Sequence, residues 1–145
     1  MVDLPAPEGA EITMLFREFI LQRIEHLFGS SYPDELLNEI KTSGIRGRGG
    51  AGFAMGLKLE SCKNTPSEDK FIVCNADESE PGTFKDRYLM EVIPHALIEG
   101  MITSSYALGA KTSYIYIRGE YFYVARIVEK ALEEAYAAGW LGKNI

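Results

Sequence analysis

Apolar and polar positions alternate along the chain in several distinct rhythms. Over 11–28, Ile12, Leu15, Phe16, Phe19, Ile20, Ile24, Leu27 and Phe28 recur at helical spacing, with Arg17, Glu18 and Glu25 on the other side. That predicts an amphipathic helix whose apolar side faces a core or a partner. "GSSYP" at 29–33 breaks the pattern, and "DELLNEIKT" at 34–42 predicts a second, shorter helix. The short apolar run "KFIVCN" (70–75) and "SYIYIR" (113–118) predict buried strands. Between them lies "PHALIEGMITSSYALG" (94–109), a helix with Pro94 suited to its first turn and Gly109 to its end. "YFYVARIVEKALEEAYAA" (121–138) predicts another helix, ending at Gly139.

From residue 70 the order is strand, helix, strand, helix. That order belongs to an α/β domain with a parallel sheet. Two strands are few for such a sheet, and the chain stops at the glycine-punctuated "GWLGKNI". The expectation is the front part of a larger domain at 33–145, preceded by an N-terminal helical segment at 1–32.

The 145 residues suffice for one domain with a core. A net charge of −6 argues against non-specific nucleic-acid binding. Cys62 and Cys74, the two cysteines, make neither a disulfide framework nor a zinc or iron–sulfur ligand set, and a reduced, cytoplasmic setting fits them. Asp3, Glu8 and Glu11 stand where a signal peptide has its basic and apolar regions. No apolar run reaches transmembrane length, so membrane insertion is not expected.

Two segments fall outside this plain description. "SGIRGRGGAGFAMG" (43–56) holds six glycines in fourteen positions, whereas a tight turn needs one or two. Gly47 to Gly52 satisfies the letter of the G-x-G-x-x-G pattern, but a helix rather than a strand precedes it, so the dinucleotide fingerprint is not met. No Gly-Lys-Ser/Thr follows, which excludes a Walker A loop. The physics of such a loop stands without the pattern. Consecutive glycines let backbone N–H groups converge on an anion, and a phosphate or flat ring can lie against a chain without β-carbons. Arg46, Arg48 and Lys58 oppose only Glu60 over 43–60, in a chain that is acidic as a whole. The plain alternative is a flexible connector between helices.

The second segment, "NADESEPGTFKDR" (75–87), is read as a polar loop with a Pro-Gly turn and a net charge of −2. It follows a strand, where α/β folds place ligand loops. Its carboxylates suit ribityl or ribose hydroxyls. With no histidine nearby and no calcium-loop spacing, a metal site is not expected. A basic glycine loop and an acidic loop after a strand together suit a ligand with a phosphate end and a hydroxyl-rich middle.

"SGIRGRGGAGF…GLK", "NADESEPGTFKDR", "PHALIEGM" and "YIYIRGEY", in that order, resemble the FMN- and NADH-binding subunit of respiratory complex I. Relatives of that family serve in NAD-linked hydrogenases and formate dehydrogenases. The resemblance runs from about residue 33 to the end. It implies a Rossmann-like FMN-binding domain, present in part, that passes hydride from NADH to FMN and single electrons to iron–sulfur proteins of the same complex. Its place would be cytoplasmic, or peripheral on the matrix side of a respiratory membrane. The cofactor performs the reaction, so no catalytic acid or nucleophile is expected, and no such constellation is found.

By the resemblance, Gly47, Arg48, Gly49 and Gly50 lie against FMN, and Lys58 contacts flavin and nucleotide. Asn75, Asp77, Glu78 and Ser79 form the FMN-contacting stretch after the strand, and Phe53 and Glu80 meet the nicotinamide end of NADH. Three features depart from the family. Ala54-Met55 replaces Pro-Thr, and Leu59 and Ser61 replace a tryptophan and an adenine-stacking phenylalanine. The family's glycine-rich motif with paired glutamates, its ubiquitin-like domain and the cysteine ligands of its 4Fe–4S cluster are not in these residues. A docking remnant that binds no flavin, with the apolar side of helix 11–28 as its interface, is therefore the alternative reading; a nucleotide-sensing domain is a third.

A positive charge near the ring stabilises reduced, anionic flavin, so Lys58 or Arg48 is expected to tune its potential. Lys58→Ala should lower the flavin midpoint in a redox titration; an unchanged midpoint removes Lys58 from that role.

Overall fold

The computed structural model describes residues 32–143 and residue 29. The helix expected over 11–28 and the segment 1–32 lie almost wholly outside the described residues. The chain is α/β, with a two-stranded parallel sheet and flanking helices. In order come α1 (Pro33–Thr42), α2 (Met55–Asn64), β1 (Phe71–Ala76), α3 (Lys85–Val92), α4 (Pro94–Leu108), β2 (Thr112–Ile117), a 3-10 turn (Gly119–Tyr121) and α5 (Phe122–Ala137). The sequence pattern predicts α1, β1, α4, β2 and α5 to within a residue at either end. None of the helices described is long and apolar enough to cross a membrane.

The described residues fall into two compact units. One holds 32–74 and 100–115. Here α1 starts at Pro33, with its missing N–H at a position that needs none. The Tyr32 N–H donates to Glu35 Oε2 at 3.1 Å, closing the first turn. Asp34 and Glu35 sit at the positive end of the helix and Lys41 at the negative end. Leu36 and Leu37 of α1 and Leu59 of α2 are buried with Ala107, and Ile40, Ile72 and Tyr106 pack around them. Lys41 pairs with Glu60, and Lys63 with Asp34 at 2.6 Å, across the two helices. Such surface pairs fix orientation more than they stabilise.

Helix α2 has no forerunner in the sequence pattern. Its apolar residues Met55, Leu57 and Leu59 alternate, and Gly56 interrupts them. Tertiary packing supplies what the pattern lacks. A β-carbon at Gly56 would stand 2.6 Å from Lys41 Cα, so α2 meets α1 backbone to backbone.

The other unit holds 75–99 and 116–143. Along α5, Val124, Val128, Ala131 and Ala135 form a buried stripe at helical spacing. Helix α3 packs on α5 and buries Met90, and the Tyr123 hydroxyl donates to the Glu91 carboxylate between them. Helix α3 corrects the expectation of a loop through residue 87. It is short, and its N-terminus is held by a residue eight positions upstream, as described below.

The strands also differ from expectation. The apolar runs predict burial for both, yet Phe71, Val73, Tyr114 and Tyr116 are exposed, Val73 at 63%. Ile72, Cys74 and Ala76 alternate with them on the covered side of β1. The apolar runs therefore mark a sheet covered on one face by the described residues.

Gly56→Ala should lower thermal stability by about 1–3 kcal/mol, the usual range for forced overpacking. The check is the unfolding midpoint of the variant beside a Gly100→Ala control, since a β-carbon at Gly100 meets nothing within 4 Å.

Candidate functional site

The glycine segment is a closed loop, not a slack connector. Arg46 and Ala54 pair as an isolated antiparallel bridge. The Gly47 N–H donates to Phe53 O at 2.8 Å, and the Met55 N–H to Ile45 O at 2.9 Å. Arg46 Nη1 donates across the loop to Gly52 O at 3.0 Å. Residues 47–53 are thus pinched at the base, and the chain runs directly into α2, whose first turn carries no acidic residue. Partial positive charge at that helix start favours an anion.

The six glycines have different causes. Gly44 ends α1, and Gly56 admits the backbone of α1. Gly50 and Gly52 have φ of +117° and +59°, which side chains rarely adopt. Gly47 and Gly49 have neither reason. A β-carbon at Gly49 would meet nothing within 4 Å, and one at Gly47 only Phe53 O at an ordinary 3.7 Å. Nothing in the described protein requires these two to be glycine.

The three basic residues divide as well. Arg46 is spent on the loop itself. Arg48 and Lys58 are exposed, and their side chains make no hydrogen bond or ion pair among the described residues. Phe53, at the loop's downstream end, is 60% exposed. Leu59, where the resemblance places an aromatic, is a core residue, whereas Ser61 is exposed. The departure at 59 is a matter of packing, and only the one at 61 changes the surface.

The acidic loop lies in the other unit, at the end of β1. Asn75 Oδ1 accepts from the Asp77 N–H at 3.2 Å, and Asp77 Oδ2 from the Ser79 hydroxyl at 3.0 Å. Both are local turn-forming bonds. Glu78 is 4% exposed. Its carboxylate accepts the Asp86 N–H at 2.9 Å and the Arg87 N–H at 3.2 Å, capping the first turn of α3. Burial pushes this carboxyl up, but the backbone donors and the Lys85 charge outweigh it and hold it below the ordinary 4.5. Glu80 is exposed, and its carbonyl accepts from Thr83 N at 3.2 Å.

Arg118, just beyond β2, lies within the motif "YIYIRGEY", which by itself gives it no role. Its Nη1 donates to Glu78 O at 2.6 Å. Its Nε and Nη2 donate to Glu120 at 3.1 and 2.9 Å, and its guanidinium lies 5.4 Å from the Tyr121 ring centre. The hydrogen bond from Arg118 holds the Glu120 carboxyl down at about 2. An arginine closing an apolar strand, with a glutamate two residues on, is the available signal.

The structure thus gathers Gly47, Arg48, Gly49, Gly50, Phe53 and Lys58 in one unit. It gathers Asn75, Asp77, Glu78, Ser79 and Glu80 in the other. Among the described residues no three His, Cys, Asp or Glu side chains group as a metal site.

Residues 40–145 match the family model described as "Nuo51 FMN-binding domain". The chain is 52% identical over 114 residues to an NADH-quinone oxidoreductase subunit of Escherichia coli (strain K12), covering 78% of this chain and 26% of the relative. It is 51% identical over 117 residues to an NADH-quinone oxidoreductase subunit of Rhizobium meliloti (strain 1021), with 81% and 28% covered. Among solved structures, an NAD+-reducing [NiFe]-hydrogenase in the H2-reduced state matches at TM-score 0.74 and 42% identity, covering 79% of this chain and 20% of that one. The chain spans about a quarter of the length of these curated relatives.

Because the folded-state carboxyl of Glu78 is lowered, its stabilisation is complete above the ordinary glutamate value. It is lost as pH falls through the folded value. Glu78→Gln should therefore unfold at lower temperature than wild type at pH 7, and the gap should close as pH falls below the ordinary glutamate value of 4.5. A gap independent of pH would mean that charge at Glu78 does not support α3.

Proposed function

The chain belongs to the Nuo51 FMN-binding domain family, and from that premise we propose that it binds FMN and serves NADH-linked electron transfer. The observation that carries this reading is the pair Gly47 and Gly49, whose missing side chains the protein itself does not use. A cofactor lying against the loop gives them a use. Arg48 and Lys58, exposed and without protein partners among the described residues, supply cations for a phosphate or an electron-rich ring. The open loop and its charge fit FMN.

The proposed FMN contacts are Gly47, Arg48, Gly49, Gly50 and Lys58 of the glycine loop and α2, and Asn75, Asp77, Glu78 and Ser79 of the acidic loop. Glu78 contributes through its backbone, since its carboxylate is committed to α3. NADH is the proposed hydride donor, met by Phe53, Lys58 and Glu80. The names of the relatives, an NADH-quinone oxidoreductase subunit and an NAD+-reducing hydrogenase, support this choice. FMN, when bound, supplies the two-electron-to-one-electron conversion. The protein's part is to bind, to orient and to set the local charge. Exposed Phe53 offers a ring for stacking, and Glu80 an acceptor for a hydroxyl or carboxamide.

The proposed partners are other subunits of an electron-transfer complex, with iron–sulfur centres as electron acceptors. The proposed location is peripheral, cytoplasmic or on the matrix side of a respiratory membrane. A docking role without flavin is the second reading. The exposed apolar side chains Phe71, Val73 and Tyr114 on the strands favour it.

A fluorescence titration with FMN, using riboflavin as control, separates the two. Micromolar quenching of FMN but not riboflavin is expected. Gly49→Val should keep the wild-type melting temperature, because its surroundings are open, and weaken FMN binding roughly tenfold or more. A folded wild-type chain that binds no FMN leaves the docking reading.

A further inference from the structure

We propose that Arg118 is a positioning residue: it fixes the Glu78–Ser79 peptide so that the Ser79 N–H stands as a preset hydrogen-bond donor to an acceptor atom of the flavin. The inference rests on the FMN reading above and adds to it a residue and an atom.

The Arg118 guanidinium is a planar fork of five N–H donors. Two of its nitrogens are locked by Glu120, at 3.1 and 2.9 Å, and the guanidinium carbon stands 5.4 Å from the Tyr121 ring centre. With the fork so held, Nη1 has one direction left, and Glu78 O lies along it at 2.6 Å. A lysine is a single point donor and cannot satisfy Glu120 and Glu78 in this planar arrangement.

Glu78 is held from its other end as well. Its carboxylate is fixed by the Asp86 and Arg87 amides at the start of α3. Carbonyl and side chain are both anchored, so the peptide that joins Glu78 to Ser79 has little freedom to rotate. There are no cis peptides among the described residues. In a trans peptide the C=O and the following N–H point in opposite directions. The Ser79 N–H is therefore turned away from Arg118.

That N–H has no partner among the described residues. The Ser79 hydroxyl is used by Asp77, but the amide is not, and the residue is exposed. It lies on the loop that leaves the end of β1, a usual place for ligand contacts in α/β folds. A donor held from behind loses little freedom on binding. The flavin supplies the acceptor, a carbonyl, hydroxyl or phosphate oxygen or an imine nitrogen.

The test follows the Ser79 amide of the 15N-labelled full chain by hydrogen exchange, with and without FMN. Wild type is compared with Arg118→Met, Arg118→Lys and Glu120→Gln. FMN should slow Ser79 exchange in wild type by roughly tenfold or more. Arg118→Met should bind FMN roughly tenfold more weakly, the loss of about one hydrogen bond, and should lose protection at Ser79 specifically. Arg118→Lys should recover part of both, and Glu120→Gln should weaken both. FMN binding that leaves Ser79 exchange unchanged in wild type overturns the proposal and leaves the FMN reading intact. Wild-type affinity and protection in Arg118→Met also overturns it. Failure of wild type to bind FMN at all overturns the FMN reading, and this inference with it. If Arg118→Met does not fold, the wild-type amide and Glu120→Gln still decide.

Discussion

A buried carboxylate must be matched by hydrogen-bond donors, and Glu78 is matched by the first turn of α3. The arrangement of the unit formed by 75–99 and 116–143 depends on this. The helix start has free N–H groups that need an acceptor, and the acidic loop needs an anchor. One side chain meets both needs. It also determines where α3 begins, and α3 in turn buries Met90 and packs on α5. The hydrogen bond from Arg118 to the carbonyl of the same residue ties the loop to the end of β2. The loop after β1 is polar and largely at the surface, yet it is held from both α3 and the end of β2.

The glycine loop is organised on another principle. Its closure uses backbone bonds and the Arg46 side chain, so the glycines at its tip take no part in closing it. Three of its glycines answer to dihedral angles and one to helix packing, while two answer to nothing inside the protein. A count of glycines cannot make that distinction. It emerges only from the space that a β-carbon would occupy at each position. The same sorting separates the basic residues. Arg46 belongs to the architecture, and Arg48 and Lys58 remain open to a ligand.

The elements legible in the sequence are those with unbroken periodicity or clear punctuation. Helix α4 has Pro94 and Gly109 at its ends, and α5 carries its apolar stripe over four turns. The two helices that the pattern does not show are those whose cause is remote. Helix α3 is started by Glu78 from eight residues away, and α2 is held by a contact between Gly56 and Lys41 that no local window contains. The strands lie where the apolar runs place them but are not buried on both faces, because Phe71, Val73, Tyr114 and Tyr116 extend those runs onto the open face. Of the site, both loops are legible from composition and charge. The division of labour within them is not. Arg118 stays hidden because its role depends on a contact forty residues away in sequence.

Neither loop contains a histidine or a cysteine. The carboxylate of Glu78 is consumed in holding a helix, and its lowered pKa keeps it ionised. Glu120 is ionised by its pairing with Arg118. Arg48 and Lys58 are exposed cations. Such a set holds fixed charge. That suits a protein whose reaction is carried by a redox cofactor, where a fixed charge near the ring shifts the driving force and a fixed donor sets the orientation.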